Sequence, residues 1–241
     1  MRKIPCLFVR DFAVRWPDGG HKVRDEIHPD SAWVAAGEGR ATRKWDGQAV
    51  LVKDREIFVR FDAKRGRMPP ADFVPAQPEP DRVSGHWPGW IPAEGPAGRW
   101  VREAIVWARV NLFDGGPVPD GTYEAIGPKI STRHGTNPER QDAHILVPHG
   151  VDAVDAPRDF AGLMEFLREL QIEGLVWHHP DGRMAKIKRA DFPYVPAYEV
   201  SGDWPGEQRK VAPRVDPDAP LIAPTGKAAA ALAARVVEAA S

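Results

Sequence analysis

The chain has 241 residues, and its 33 basic and 34 acidic side chains leave a formal charge of -1. This length allows one ordinary domain, with or without an appendage, and excludes a two-enzyme fusion. Hydrophobic residues at 42% and charged residues at 28% exclude a disordered chain, and the cancelled charge excludes a uniformly basic coat for duplex DNA while leaving room for a local basic site.

At the amino terminus, Arg2 and Lys3 precede a short apolar stretch that Arg10 and Asp11 close too early for a secretory signal. No run approaches the roughly 18 apolar residues of a membrane span. The lone cysteine, Cys6, can form no internal disulfide and is read as a small buried apolar residue. A cytoplasmic protein without a membrane partner is the expectation.

Residues 48–53 and 56–61 flank Asp54-Arg55 and read as a tight hairpin. Residues 68–98 are crowded with prolines and lack any sustained period, so they are expected to form an ordered loop or surface insertion with Trp87, Trp90 and Ile91 to bury. Further strands are expected at 101–110, 122–126, 144–147, 172–178 and 183–188. Phe160, Leu163, Leu167 and Leu170 repeat at helical spacing, with Pro157 suited to a first turn. A second proline-rich stretch at 193–224 precedes an alanine-rich helix at 227–240. There is no internal repeat and no glycine-rich phosphate loop. The pattern is α+β with antiparallel sheets, divided into a domain at 1–192 and a carboxy-terminal segment at 193–241.

The chemistry begins at Lys44-Trp45-Asp46-Gly47. A lysine nucleophile must be a neutral amine, so it belongs on a rigid element beside other cations, and a glycine nearby permits a tight turn or a close approach. Charged residues recur in order along the later strands: Arg60, Glu124 in GTYEAIG, Glu173 in IEGLVW, and Lys186 and Lys188 in MAKIKR. Residues two apart in a strand share a face, so Lys186 and Lys188 can present two cations to one phosphate. Locally the charge is basic as well, since residues 40–67 hold nine Lys and Arg against four Asp and Glu. Such a patch attracts phosphates.

This ordered set resembles the motif series of the covalent nucleotidyltransferases, which comprise RNA ligases, DNA ligases and capping enzymes. More closely, the chain resembles the RNA ligase 1 family, through IPCLFV, KWDG, VRFDAK, PGWIP, YEAIG, HILVPHG, IEGLVWHHPDG and MAKIKR, over about four fifths of its length. The resemblance implies a ligase adenylation domain with antiparallel sheets flanking a nucleotide pocket. It also implies ATP as cofactor, Mg2+ or Mn2+ as metal, and RNA 5'-phosphate and 3'-hydroxyl ends as substrates, with no obligate protein partner. Lys44 would take AMP from ATP and pass it to an RNA 5'-phosphate, which a 3'-hydroxyl then attacks. By the same resemblance Lys186 would act with Lys44 at the α-phosphate, with Lys188 as a second cation. Arg43, Asp46, Arg60 and Glu124 would bind nucleotide, Glu124 at the ribose, and Glu173 would hold the metal.

Three departures from the family pattern stand out. Arg43 occupies a position that is often acidic, which leaves its backbone carbonyl as the group to read adenine. The run ISTRHGTNPER at 130–140 is longer and more basic than its family counterpart, and no aromatic shelf for adenine is evident around residues 144–147. The 52 residues from Ala190 onward are expected to be too short and proline-rich for the carboxy-terminal OB barrel of DNA ligases and capping enzymes. A minimal RNA ligase is therefore expected. The alternatives are another covalent nucleotidyltransferase or a noncatalytic module that binds RNA ends. His149 is read as a satisfied loop residue, His178 and His179 as facing opposite sides of a strand, and the tryptophans mostly as core.

Overall fold

The computed structural model describes residues 2–14, 21–82, 84–96, 98–130, 142–170 and 172–193. The expected helix at 227–240 and nearly all of the 130–140 run lie outside them. Strands β1 (Phe8–Arg10) and β2 (Val23–Ile27) come first, followed by the short helix α1 (Ala32–Ala35) and strands β3 (Arg40–Lys44), β4 (Gln48–Lys53) and β5 (Glu56–Ala63). Then come β6 (Val74–Pro75), β7 (Trp87–Pro92), helix α2 (Arg99–Asn111), β8 (Gly121–Ile126) and β9 (Ile145–Pro148). Helix α3 (Phe160–Glu169) and strands β10 (Gly174–His178) and β11 (Met184–Lys188) complete the order. The α+β class with antiparallel sheets is what the residues adopt, since every ladder pairing between the named strands is antiparallel. No helix among the described residues is long and apolar enough to cross a membrane.

These residues form two compact units, and the chain passes from one to the other between Lys44 and Trp45. The first unit contains Trp45–Val151 and is built on a six-stranded sheet in the order β6-β7-β5-β4-β8-β9. Its hairpin forms at Asp54 and Arg55, whose φ values of 53° and 67° supply the twist that a two-residue turn demands. Val50, Val52, Val59, Tyr123 and Ala125 point to one face of this sheet, where they bury against Val101, Ala104, Ile105 and Ala108 of α2. Alternation then sends Arg60 and Glu124 to the other face.

Two expectations need correction here. Residues 101–110 form helix, not strand: their valines suggested β structure, but the buried set Val101, Ala104, Ile105 and Ala108 has the three- and four-residue spacing of a helix face. The proline-rich stretch is not merely loop either, because β7 runs through it and pairs with β5 along six residues, from Phe58 opposite Pro92 to Ala63 opposite Trp87. Pro88 and Pro92 are accommodated within that strand, and its Trp90 is 3% exposed.

The second unit contains Pro5–Lys44 and residues 152–193 of the described chain. Its three-stranded sheet has the order β11-β10-β3, and β1 and β2 form a separate antiparallel pair. Helix α3 begins at Asp159, whose carboxylate accepts a hydrogen bond from the Gly162 N–H at 2.8 Å, so the cap is this aspartate and Pro157 lies ahead of it. Leu163 and Leu167 of α3 bury with Leu175, Trp177, Ala185 and Ile187 of the sheet and with Leu7, Phe8 and Phe192. Burial on that face leaves the opposite face of β3, β10 and β11 for polar groups.

Candidate active site

The register of the three-stranded sheet determines which charged side chains meet. Gly174 in the central strand β10 pairs with Lys44 on one side and with Lys188 on the other. One row along, Val176 lies between Thr42 and Lys186. Paired residues share a face, so Lys44, Lys186 and Lys188 all stand on the face opposite the core residues Leu175 and Ile187. A Cβ on Gly174 would lie 2.1 Å from the Ile187 carbonyl oxygen, which makes glycine obligatory between the two lysine strands.

Glu173 sits immediately before this row and joins it. One of its carboxylate oxygens accepts from the Lys44 ammonium and the other from that of Lys188. Its side chain is 14% exposed and that of Lys44 is 20% exposed, so the charges interact with reduced solvent screening. Burial pushes the Glu173 carboxyl up, but Lys44 and Lys188 outweigh it and hold the group below the usual carboxylate range. Lys186 responds in the opposite sense. Burial first, then the charges of Lys188 and Lys44, pull its amine down to about 8. A carboxylate and three amines crowded on one sheet face form a centre that can accept a phosphate and hold a reactive amine in place.

Strand β11 is pinned from behind by residues to which the sequence gave no part in the site. Its backbone bonds to Pro5 and Leu7 on either side of Cys6, and the Lys188 N–H donates to Asp191 at 3.0 Å. Asp191, 5% exposed, also binds the Arg10 guanidinium at 2.6 Å. Burial, and then Asp191, push the Cys6 thiol up, which suits a half-buried packing residue. Arg43 is buried and shares a face with Leu175, away from Lys44, while its N–H donates to the Asp152 carbonyl at 2.9 Å.

The other predicted residues belong to the first unit. Trp45 is 5% exposed and packs with Ile126, Ile145 and Val147, so the second residue of KWDG is an anchor. Gly47 lies so close to β8 that a Cβ there would meet the Ala125 carbonyl oxygen at 2.2 Å, and its N–H donates to the Glu124 carboxylate at 3.0 Å. The other Glu124 oxygen meets His149 Nε2 at 2.9 Å, which gives the satisfied loop histidine its partner. Asp46 is half-buried in the loop between β3 and β4. Arg60 lies within β5, where its Nε donates to Asp62 at 2.8 Å and its guanidinium stands 5.8 Å from the Trp90 ring centroid.

His144, His178, His179 and Trp87 are held by stacking and polar contacts. His144 stacks on Trp100 with centroids 4.8 Å apart and bonds Glu103 at 2.9 Å, which excludes it as an exposed aromatic shelf. His178 meets Thr42, whereas His179 meets Glu38 and Asp181, so the two adjacent histidines serve different partners. The Trp87 indole donates to the Gln77 carbonyl at 2.8 Å.

Comparison with known proteins reproduces the family resemblance. RNA ligase 1 of Rattus norvegicus and of Mus musculus are each 32% identical to the chain, over 138 and 141 residues, and RNA ligase 1 of Danio rerio is 29% identical over 140. These matches cover 46–47% of this chain and 42% of each relative. The chain therefore matches less than half the length of the curated relatives, a narrower span than the motif series suggested. No protein-family model matches it. The chain is similar to RNA ligase 1 proteins over that span.

Proposed function

We propose that the protein is an ATP-dependent RNA ligase that works through a lysyl-AMP intermediate on Lys44. The observation that carries this reading is the cluster of Lys44, Glu173, Lys186 and Lys188 on one face of the three-stranded sheet. Phosphoryl transfer asks little covalent chemistry of a protein beyond a positioned nucleophile and charge stabilisation at the nonbridging oxygens. Lys44 loses one proton to solvent before its lone pair attacks the α-phosphorus, and its nitrogen releases a second to solvent as the P–N bond forms and the bond to pyrophosphate breaks. Lys186 and Lys188 stabilise the negative charge that gathers on the α-phosphate oxygens. The AMP then moves to an RNA 5'-phosphate, and a 3'-hydroxyl displaces it to form the phosphodiester.

The residues fit a magnesium-like ion better than zinc. No group of three or more His, Cys, Asp and Glu side chains converges among the described residues, whereas Mg2+ is commonly held by one or two carboxylates together with substrate phosphates and water. Glu173 would hold Mg2+ or Mn2+, which supplies charge neutralisation at the phosphates. Glu124, Asp46, Arg60 and the Arg43 carbonyl are assigned to the nucleoside and its phosphates on the family resemblance.

Incubation with ATP labelled at the α-phosphate, followed by denaturing electrophoresis, should show a covalent adenylate. Lys44→Ala should abolish it, and so should Lys44→Arg, because a guanidinium stays protonated and cannot attack. Label retained in either variant refutes the assignment. Substrate is tested separately, by single-turnover sealing of RNA, of RNA with terminal 3' deoxynucleotides, and of all-DNA. A site that bonds a terminal 2'-hydroxyl is left unpaired by a deoxy end, so RNA should seal fastest. Equal rates on all three would remove RNA as the preferred substrate and leave adenylylation standing.

A further inference from the structure

We propose that His149 is a positioning residue that fixes the Glu124 carboxylate and thereby sets selectivity for the ribose hydroxyls of the nucleotide. The proposal rests on the reading of Glu124 as a nucleoside-binding residue and extends it to a side chain to which that reading gave no role.

Glu124 is 8% exposed, and each of its oxygens already has one partner. The Gly47 N–H holds one at 3.0 Å and His149 Nε2 holds the other at 2.9 Å. Both partners are themselves fixed. Gly47 is pressed against the β8 backbone, and the His149 N–H donates to the Thr122 carbonyl at 3.1 Å, two residues before Glu124 on the same strand. The ring is therefore tied to the same strand that presents the carboxylate.

The hydrogen-bond inventory explains what this achieves. A carboxylate offers about four lone-pair sites, and two fixed donors stop it from rotating while leaving acceptor capacity for hydroxyl donors. Without the imidazole, one oxygen keeps its Gly47 bond and the other is free to turn, so a ribose hydroxyl must order the group as it binds. Because Nε2 faces the carboxylate, Nε2 is assigned the hydrogen, and Nδ1, which is buried and has no hydrogen-bond partner among the described residues, takes no part. A replacement therefore needs a donor where Nε2 stands. The glutamine amide nitrogen reaches about that far, whereas the asparagine amide falls near the Nδ1 position.

The test measures affinity in a Lys44→Ala background, where no covalent step intervenes. Dissociation constants for ATP, 2'-deoxy-ATP and 3'-deoxy-ATP are determined by calorimetry with His149, His149→Ala, His149→Asn and His149→Gln. The expected result is that His149→Ala and His149→Asn weaken ATP by about tenfold, the scale of one well-placed charge-assisted hydrogen bond. They should weaken binding of at least one deoxy analogue by less than twofold, and His149→Gln should restore most of the difference. Equal weakening of all three nucleotides, or no weakening of ATP, overturns the proposal, as does failure of glutamine to restore selectivity in a variant that melts like the parent. Adenylate at Lys44 in the otherwise unaltered protein is scored independently, so loss of the His149 effect with labelling intact refutes this inference alone. Absence of ATP binding in every variant refutes the nucleotide reading itself.

Discussion

Lys186 illustrates how a side chain of the proposed site can oppose the fold that holds it. Its amine is held near 8, whereas the same group in an unfolded chain titrates near 10.4. Between those values the unfolded state binds more protons than the native one, so this group makes stability rise as pH rises through that window. Below about 8 both states are protonated, and the native state carries the full cost of a buried ammonium beside Lys188 and Lys44. A shift of this size corresponds to about 3 kcal/mol. Lys186→Met should consequently be more stable than the parent at pH 7, by about 2 kcal/mol and several degrees in melting temperature. It should also lose Lys44 adenylylation, and its stability should no longer climb between pH 8 and 10. A melting temperature at pH 7 equal to or below that of the parent would remove the argument that this lysine is held at a cost. Glu173 has the opposite sign: its lowered pKa contributes stability above the ordinary carboxylate range that is lost as acid protonates it.

At the scale of elements, the hairpin and α2 show what sequence patterns can and cannot disclose. Asp54-Arg55 was legible as a turn because two runs with strand character flank a two-residue gap, although neither residue is glycine. Arg55 nevertheless holds φ at 67°, a conformation that costs a non-glycine residue roughly 1 kcal/mol. Arg55→Gly should thus raise stability by up to about 1 kcal/mol in chemical denaturation, and a loss of stability would show that the arginine side chain has a compensating role. Helix α2 was misread because Val101, Val106 and Val110 give its sequence strand-like propensity. Burial decides its structure. Val101 packs against the sheet with Ala104, Ile105 and Ala108, while Val106 and Val110 are 60% and 67% exposed, where their branched side chains disfavour helix with little packing in return. Replacing both exposed valines with alanine should stabilise the protein by about 1 kcal/mol. A double variant that melts lower would assign this exposed face a contact beyond helix formation.

For the whole molecule, the order of charged motifs proved more informative than any element boundary. Lys44 is far in sequence from Glu173, Lys186 and Lys188, and they meet because antiparallel pairing sets Gly174 between Lys44 and Lys188. Strand alternation made the shared face of Lys186 and Lys188 predictable. The supporting contacts were not legible, because neither Arg10 with Asp191 nor His149 with Glu124 follows a local spacing rule. The division of the chain between Lys44 and Trp45 was equally hidden, since KWDG reads as one motif while its lysine ends a strand of one unit and its tryptophan packs in the other.

The near-neutral total charge conceals a basic segment that bears on the proposed RNA substrate. Residues 40–67 carry an excess of five positive charges, and Lys64, Arg65 and Arg67 lie exposed just beyond β5. Cations that neutralise backbone phosphates release condensed counterions, so each such contact steepens the dependence of binding on salt. If these three side chains meet RNA phosphates, replacing all of them with glutamine should weaken single-stranded RNA binding most at low salt. The slope of log K against log salt should shrink by about 2, taking roughly 0.7 for each single-strand phosphate contact. Fluorescence anisotropy between 50 and 200 mM salt, on a variant whose melting temperature matches the parent, measures that slope directly. An unchanged slope would move RNA binding away from this segment, and a parallel loss of affinity at every salt concentration would indicate that the side chains contribute packing instead of phosphate contacts.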